Sequence, residues 1–354
     1  MKKWKLHILA WGLLLAGVLL TVFSSQASAY ALDGLLLCAG KVIPSLFPYM
    51  VVSSLLVYSG LAAKLGRLIP AASLFSLPKE ASSSLLLGAV CGFPVGAKTA
   101  VDLYKSGCVS KTEAEVLISI SNNTGPSFVV GIVGALFWGS AAFGWALYCF
   151  QILAATVVGL FVNRVLFPFK ASDLSKKTAS ASKPFSLLFS TSVSEAASSC
   201  LSICGFVVFF YVVIRFCTAA FTAAATPPIF SALLASLLEF TTGTALGADI
   251  SGWAGAFLCG FSVGWAGLSV FFQACSFALP AGLSLKRTVA VKALQGVLTG
   301  TLCALYVFIF PVSPTKMAVN AFPANESPAW AVVFFSILIL LALFTKMQCK
   351  NQKI

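Results

Sequence analysis

Apolar runs follow one another along almost the whole chain, and several are as long as the ~20 residues a helix needs to cross a bilayer. The clearest are 8–28, 42–61, 141–163, 200–222, 288–311 and 329–346. Two more, 112–138 and 227–248, are long enough but carry polar residues in their interiors, and 81–107 and 252–282 are broken by glycines near their middles. In hydrocarbon every backbone polar group must be satisfied within the protein, so these runs have to fold as helices. The expectation is an all-α polytopic membrane protein with about eight transmembrane helices. The two glycine-broken runs, 81–107 and 252–282, are read as re-entrant hairpins.

Composition agrees. Of 354 residues 59% are hydrophobic and 9% charged, whereas a soluble domain carries about a quarter charged residues. A soluble enzyme is excluded on that ground. The single histidine, His7, leaves no His-based triad or multi-histidine metal site in the body of the chain. Ten acids leave little material for a carboxylate-rich centre. No enzyme activity, metal or cofactor is therefore expected. The net charge of +13 sits in short clusters between apolar runs, the pattern of loops obeying the positive-inside rule rather than of a nucleic-acid-binding face. The eleven cysteines contain no C-x-x-C and mostly lie in apolar stretches, so they read as small buried hydrophobes.

The same clusters predict orientation. Lys2, Lys3 and Lys5, then Lys64, Arg67 and Lys79, then Arg164, Lys170, Lys176, Lys177 and Lys183, then Lys286 with Arg287, and finally Lys346, Lys350 and Lys353 fall on the cytoplasmic side. Both termini are then cytoplasmic, and the loop 312–328, with Lys316 and Glu326, faces out; its Asn325-Glu326-Ser327 reads as a chance match to a glycosylation sequon. Ala27-Ser28-Ala29 matches a signal-peptidase site, yet the first run reads as an uncleaved anchor because everything after it is also membrane. The chain divides into an N-terminal helix (1–29), a first half (30–163), a basic linker with an interfacial stretch at 185–199 (164–199), a second half (200–311) and a C-terminal helix with basic tail (312–354). Each half holds one hairpin and one interrupted helix, the mark of transporters built from internal repeats. The charges, however, put both hairpin mouths on one side, whereas an inverted repeat requires opposite sides.

Four segments carry the polar chemistry. Gly92, Pro94 and Gly96 cannot continue a regular helix, and Lys98 then stands at the start of a half-helix as an anion partner. In Asn122-Asn123-Thr124-Gly125-Pro126 the proline removes a donor and the glycine permits an unwound turn. Two adjacent asparagines cannot share one helix face, so at least one points into the bundle. Glu239, with Thr241 and Thr242, lies near the bilayer midplane, where an acid costs about 2.5–3.5 kcal/mol; Lys98, Arg215 or a bound cation could meet its charge, or the group could avoid it by staying protonated. Gly260, Gly264 and Gly267 suit close helix packing, and Ser269 and Gln273, four apart, share a face that could reach a ligand. Ser110-Lys111-Thr112-Glu113 matches a capping box. Arg215 is either deep or snorkelling, Asp33 and Glu195 are read as interfacial, and Trp4, Trp138 and Trp330 as interface anchors.

Together Gly92-Phe93-Pro94-Val95-Gly96-Ala97-Lys98, Asn122-Asn123-Thr124-Gly125-Pro126, Leu238-Glu239-Phe240-Thr241-Thr242-Gly243, Gly267-Leu268-Ser269-Val270 and the earlier Val42-Ile43-Pro44-Ser45-Leu46-Phe47-Pro48 resemble the YlbJ-type sporulation integral membrane proteins, which carry a nucleoside-recognition or gate domain. The resemblance spans about 30–311. It implies an architecture like that of concentrative nucleoside transporters, multi-pass residence in a bacterial cell membrane such as the outer forespore membrane, and transport of dipicolinate during sporulation. Two positions depart from the family pattern: Thr242 stands where an asparagine is usual, and Phe271 where a histidine is usual. The leading expectation is a secondary transporter of a small anionic or heteroaromatic solute. A non-transporting assembly protein of spore maturation and a nucleoside transporter are the alternatives. Expected partners are the solute, the lipid bilayer, a coupling cation and a second copy of the chain, with no nucleic acid.

Overall fold

The computed structural model describes residues 20–59, 71–169 and 184–315, with 10, 11, 14, 17, 18, 61 and 64 besides. The expected span 329–346, the N-terminal lysines, Trp4, His7, Arg67, linker residues 170–183, Lys316, the sequon, Trp330 and the basic tail lie outside the described residues. All regular structure among the described residues is helical. Four helices are long and apolar enough to cross a membrane, Ala141–Leu166, Phe185–Thr222, Gly252–Ala281 and Lys286–Ile309, against the eight or so read from the sequence.

The first helices are α1 (Ser24–Leu37) and α2 (Ile43–Tyr58), joined without a loop by the π-helical turn Cys38–Val42. The sequence reading ended one span at residue 28 and began another at 42. Residues 29–41 contain no proline, and extending an existing helix costs far less than nucleating a second. Helix α7 (Phe185–Ala223) runs antiparallel to this pair. Gly34 meets Val208 and Tyr211, Cys38 meets Cys204, and Tyr58 meets Glu195. The expected interfacial stretch 185–199 is thus the first part of one 39-residue helix, which has no proline to stop it.

Next come α3 (Ser82–Cys91), α4 (Val95–Lys105), α5 (Lys111–Ser121), the π-helix Ser127–Phe137 and α6 (Ala141–Phe161). After α7 come α8 (Pro228–Leu238), α9 (Phe240–Ala248), α10 (Gly252–Trp265), α11 (Gly267–Ala278) and α12 (Lys286–Ile309). The arms α3 and α4 fold back on one another around Gly92, whose φ is 79°, so 81–107 is a hairpin as expected. Ser110 caps α5 in a full capping box with Glu113.

In the second half the two roles are exchanged relative to the sequence reading. The hairpin is α8–α9, whose arms pack so closely that a Cβ on Gly243 would lie 2.5 Å from the Ser236 Cα. Run 252–282 is the interrupted helix: α10 packs along α12, and its arms do not pair. The physical reason is the partner of its glycines. Gly260 and Gly264 close against Thr299, Gly300, Gln295 and Gly296 of α12, not against a return arm.

Helix α12 is parallel to α5, since Ser284 and Lys292 meet Glu115 and Asn123. It is antiparallel to α10, since Gly300 meets Phe257 and Gly296 meets Trp265. Helices α5 and α10 therefore point in opposite directions, and each follows the mouth of its own hairpin. The two hairpins open at opposite ends of the bundle.

Candidate solute site

Each hairpin presses its break against the break of the interrupted helix that follows it. A Cβ on Gly92 would lie 2.5 Å from the Gly125 nitrogen, and one on Gly267 would lie 3.0 Å from the Glu239 Cα. Only glycine admits such an approach, and at both positions φ is left-handed, 79° and 78°. The two pairs of breaks then meet. The Phe240 ring lies edge-on to Phe93 at 5.2 Å and to Phe128 at 5.0 Å. Phe93 also packs with Ala266 and Val270, and the Thr124 hydroxyl donates to the Val263 carbonyl at 3.3 Å.

The first break frees the backbone of residues 122–125. Gln151 of α6, wholly buried, accepts from the Thr124 N–H at 3.3 Å and donates to the Thr124 carbonyl at 2.6 Å. One side-chain amide thereby replaces both lost backbone partners of Thr124. Asn123 donates to the Ile120 carbonyl at 2.8 Å, while its Oδ1 accepts from Lys292 Nζ at 2.9 Å and Gln295 Nε2 at 3.0 Å. Asn122 is equally buried, yet its Oδ1 has no hydrogen-bond partner. Both asparagines face inward because the chain is unwound there; the helix-face argument does not apply to them. Gly88 and Gly96 clear the space around the end of α5: a Cβ on either would lie 1.8 or 2.1 Å from the Ser121 carbonyl oxygen. Pro126 is already helical and precedes the π-helix.

The second hairpin turns at one extended residue, Glu239, with φ −149° and ψ 121°. Its carboxylate caps α9, accepting from the Thr241 N–H at 3.0 Å, the Thr242 N–H at 2.7 Å and the Thr242 hydroxyl at 3.0 Å. The helix dipole and three donors meet the charge. Neither Lys98 nor Arg215 does so. Arg215 lies deep, its guanidinium 4.7 Å above the Tyr30 ring. In the second interrupted helix Ala266 and Gly267 are both left-handed, and the N-terminus of α11 carries no side-chain cap. Ser269 and Gln273 are buried on the first turns of α11, and the Ser269 hydroxyl has no partner.

Lys98, one turn along α4 from Pro94, is in an ion pair with Glu195 of α7, which also accepts from the Tyr58 hydroxyl. Glu195 thus binds hairpin to frame. Trp138, read as an interface anchor, is instead buried and donates to Cys259 Sγ at 3.4 Å. Phe271, at the family's usual histidine position, packs edge-on against Phe272. Of the ten described cysteines, Cys38, Cys91, Cys200, Cys204, Cys217, Cys259 and Cys303 are buried.

Three residues of this region were missed by the sequence reading: Gln151, Lys292 and Gln295. The signal was present. Gln151 is an amide in the middle of an apolar span, and Lys292 and Gln295 share a face, three apart, with Thr299. Lys292 was hidden by its neighbours Lys286 and Arg287, which look like loop charges.

Packed helices with apolar exteriors and unwound polar breaks at their meeting point define a multi-pass α-helical membrane protein. Over 291 residues the chain is 26% identical to the sporulation integral membrane protein YlbJ of Bacillus subtilis (strain 168), covering 72% of this chain and 71% of that protein. The similarity supports the YlbJ-like assignment that the motifs gave. No family model and no solved structure matches the chain.

Proposed function

We propose that the chain is a secondary carrier of a small anionic or heteroaromatic solute, with dipicolinate during sporulation as the substrate class. The observation carrying this reading is the convergence of four helix breaks on one place deep in the bundle. Discontinuous helices meeting at a pseudo-symmetric interface are where carriers bind solute. The two halves repeat the order hairpin, interrupted helix, helix, with mouths at opposite ends, as an inverted repeat of the concentrative-nucleoside-transporter kind requires. The rings of Phe93, Phe128 and Phe240 suit a flat aromatic solute. Asn122 Oδ1 and the Ser269 hydroxyl, buried without partners, are polar groups a solute can satisfy. The sporulation setting is carried over from the Bacillus relative, a sporulation integral membrane protein.

The test is uptake into proteoliposomes holding the full chain. Labelled dipicolinate should accumulate with time and saturate, with uridine as the contrasting solute. Failure to accumulate either solute, in vesicles whose protein retains its cooperative thermal transition, would assign the chain to a non-transporting role.

A further inference from the structure

Lys292 lies six residues into α12, about 9 Å along the helix from its start, and is 4% exposed. Its ammonium donates to Asn123 Oδ1 at 2.9 Å and to Gln295 Oε1 at 2.8 Å. Both acceptors are neutral, and Lys292 meets no carboxylate among the described residues. A lysine has three N–H donors, so one remains. The amide oxygens are themselves held in place. Gln295 donates to Asn123 Oδ1 at 3.0 Å and to the Gln151 carbonyl at 3.1 Å, and Gln151 braces Thr124 of the first break. The lysine is therefore fixed against the break through Asn123, whose chain neighbour Asn122 has an unpartnered Oδ1. An ammonium buried in a membrane protein and surrounded by neutral groups lacks a counter-charge, and such residues mark the path of a charged solute.

We infer that Lys292 is the cationic residue of the solute site, and that the carboxylate of an organic anion is its counter-charge. Glu239 cannot share this role, since its own carboxylate fills the N-terminus of α9. Lys98 already has Glu195. The inference deepens the carrier reading and rests on it for the location of the solute.

The decisive measurement is equilibrium binding of dipicolinate to the purified full chain, alongside vesicle uptake. Lys292→Gln should weaken binding by about 30-fold or more, as when one partner of a buried charge pair is removed. Lys292→Arg should retain most of the affinity. If Lys292→Gln fails to fold, Asn123→Asp serves instead. It places a carboxylate where the neutral oxygen now stands, should stabilise the fold by supplying an internal counter-charge, and should weaken dipicolinate binding about tenfold by competition. Unchanged affinity in Lys292→Gln or Asn123→Asp would overturn the inference and leave the carrier reading intact. Lys292-dependent binding without any uptake would support the inference and overturn the carrier reading. A wild-type chain that binds no dicarboxylate would overturn both.

Discussion

The two breaks nearest Thr124 and Glu239 solve the same problem by opposite means. Each leaves backbone groups without helical partners deep in the bundle. The first is braced from a distance by a neutral amide, Gln151, twenty-seven residues along the chain. The second is capped locally by a charged carboxylate, reaching N–H groups two and three residues ahead. A local cap forms with its own helix, whereas a distant brace forms only when α5 and α6 have packed. The first break should therefore depend on tertiary structure and the second should not.

The largest effect expected is at Gln151. Gln151→Leu strands a buried N–H and a buried carbonyl at once, each worth about 1–3 kcal/mol, so the thermal transition in detergent should fall steeply. A transition unmoved by this change would mean the break finds other partners, and the contrast with Glu239 would collapse. Glu239→Gln comes next. The amide oxygen keeps one N–H partner but the NH2 group is turned toward the other, either the Thr241 or the Thr242 N–H, at a cost of about 1–3 kcal/mol. Transport should be lost while the helical signal by circular dichroism persists. Native-rate transport would remove Glu239 from the site.

The adjacent asparagines sharpen the comparison within the first break. Asn123→Ala removes the acceptor shared by Lys292 and Gln295 and should destabilise by about 1–3 kcal/mol. Asn122→Ala removes an oxygen that has no partner and should destabilise less than Asn123→Ala while lowering solute affinity. Equal losses of stability would contradict their difference in bonding. Lys98→Met should have the smallest effect on folding, at most about 1 kcal/mol, because the Glu195 side chain is 38% exposed and solvent screens the pair. Its effect on anion affinity, compared with that of Lys292→Gln, ranks the two lysines as anion partners.

What the sequence disclosed was where the helices break. Gly92 with Pro94, Asn122 through Pro126, and Glu239 each oppose a regular apolar helix through their own chemistry, so no partner is needed to see them. Whether a break folds back into a hairpin is decided by what packs on either arm, and local composition is silent on that. Run 252–282 looked like a hairpin because its glycines were visible while their use, closing against α12, was not. Ala266 carries no left-handed signature of its own. Lys292 was obscured for a related reason: in an apolar span close to two loop cations, one more lysine resembles the loop.

Helix α7 has a mechanical consequence. Its 39 residues extend about 58 Å. Even at the ~40° upper end of observed helix tilts, about 45 Å would lie along the membrane normal, against a hydrocarbon thickness of ~30 Å. Some 15 Å of it must stand outside the hydrocarbon. At its N-terminal end Phe185, Leu187 and Phe189 are 72%, 51% and 48% exposed, and the two phenylalanine rings stack at 6.2 Å. That end is a greasy foot long enough to feel bilayer thickness. Reconstitution in lipids of graded acyl length should therefore show an optimum on the thick side, and shortening α7 from its N-terminus should move that optimum toward thinner bilayers.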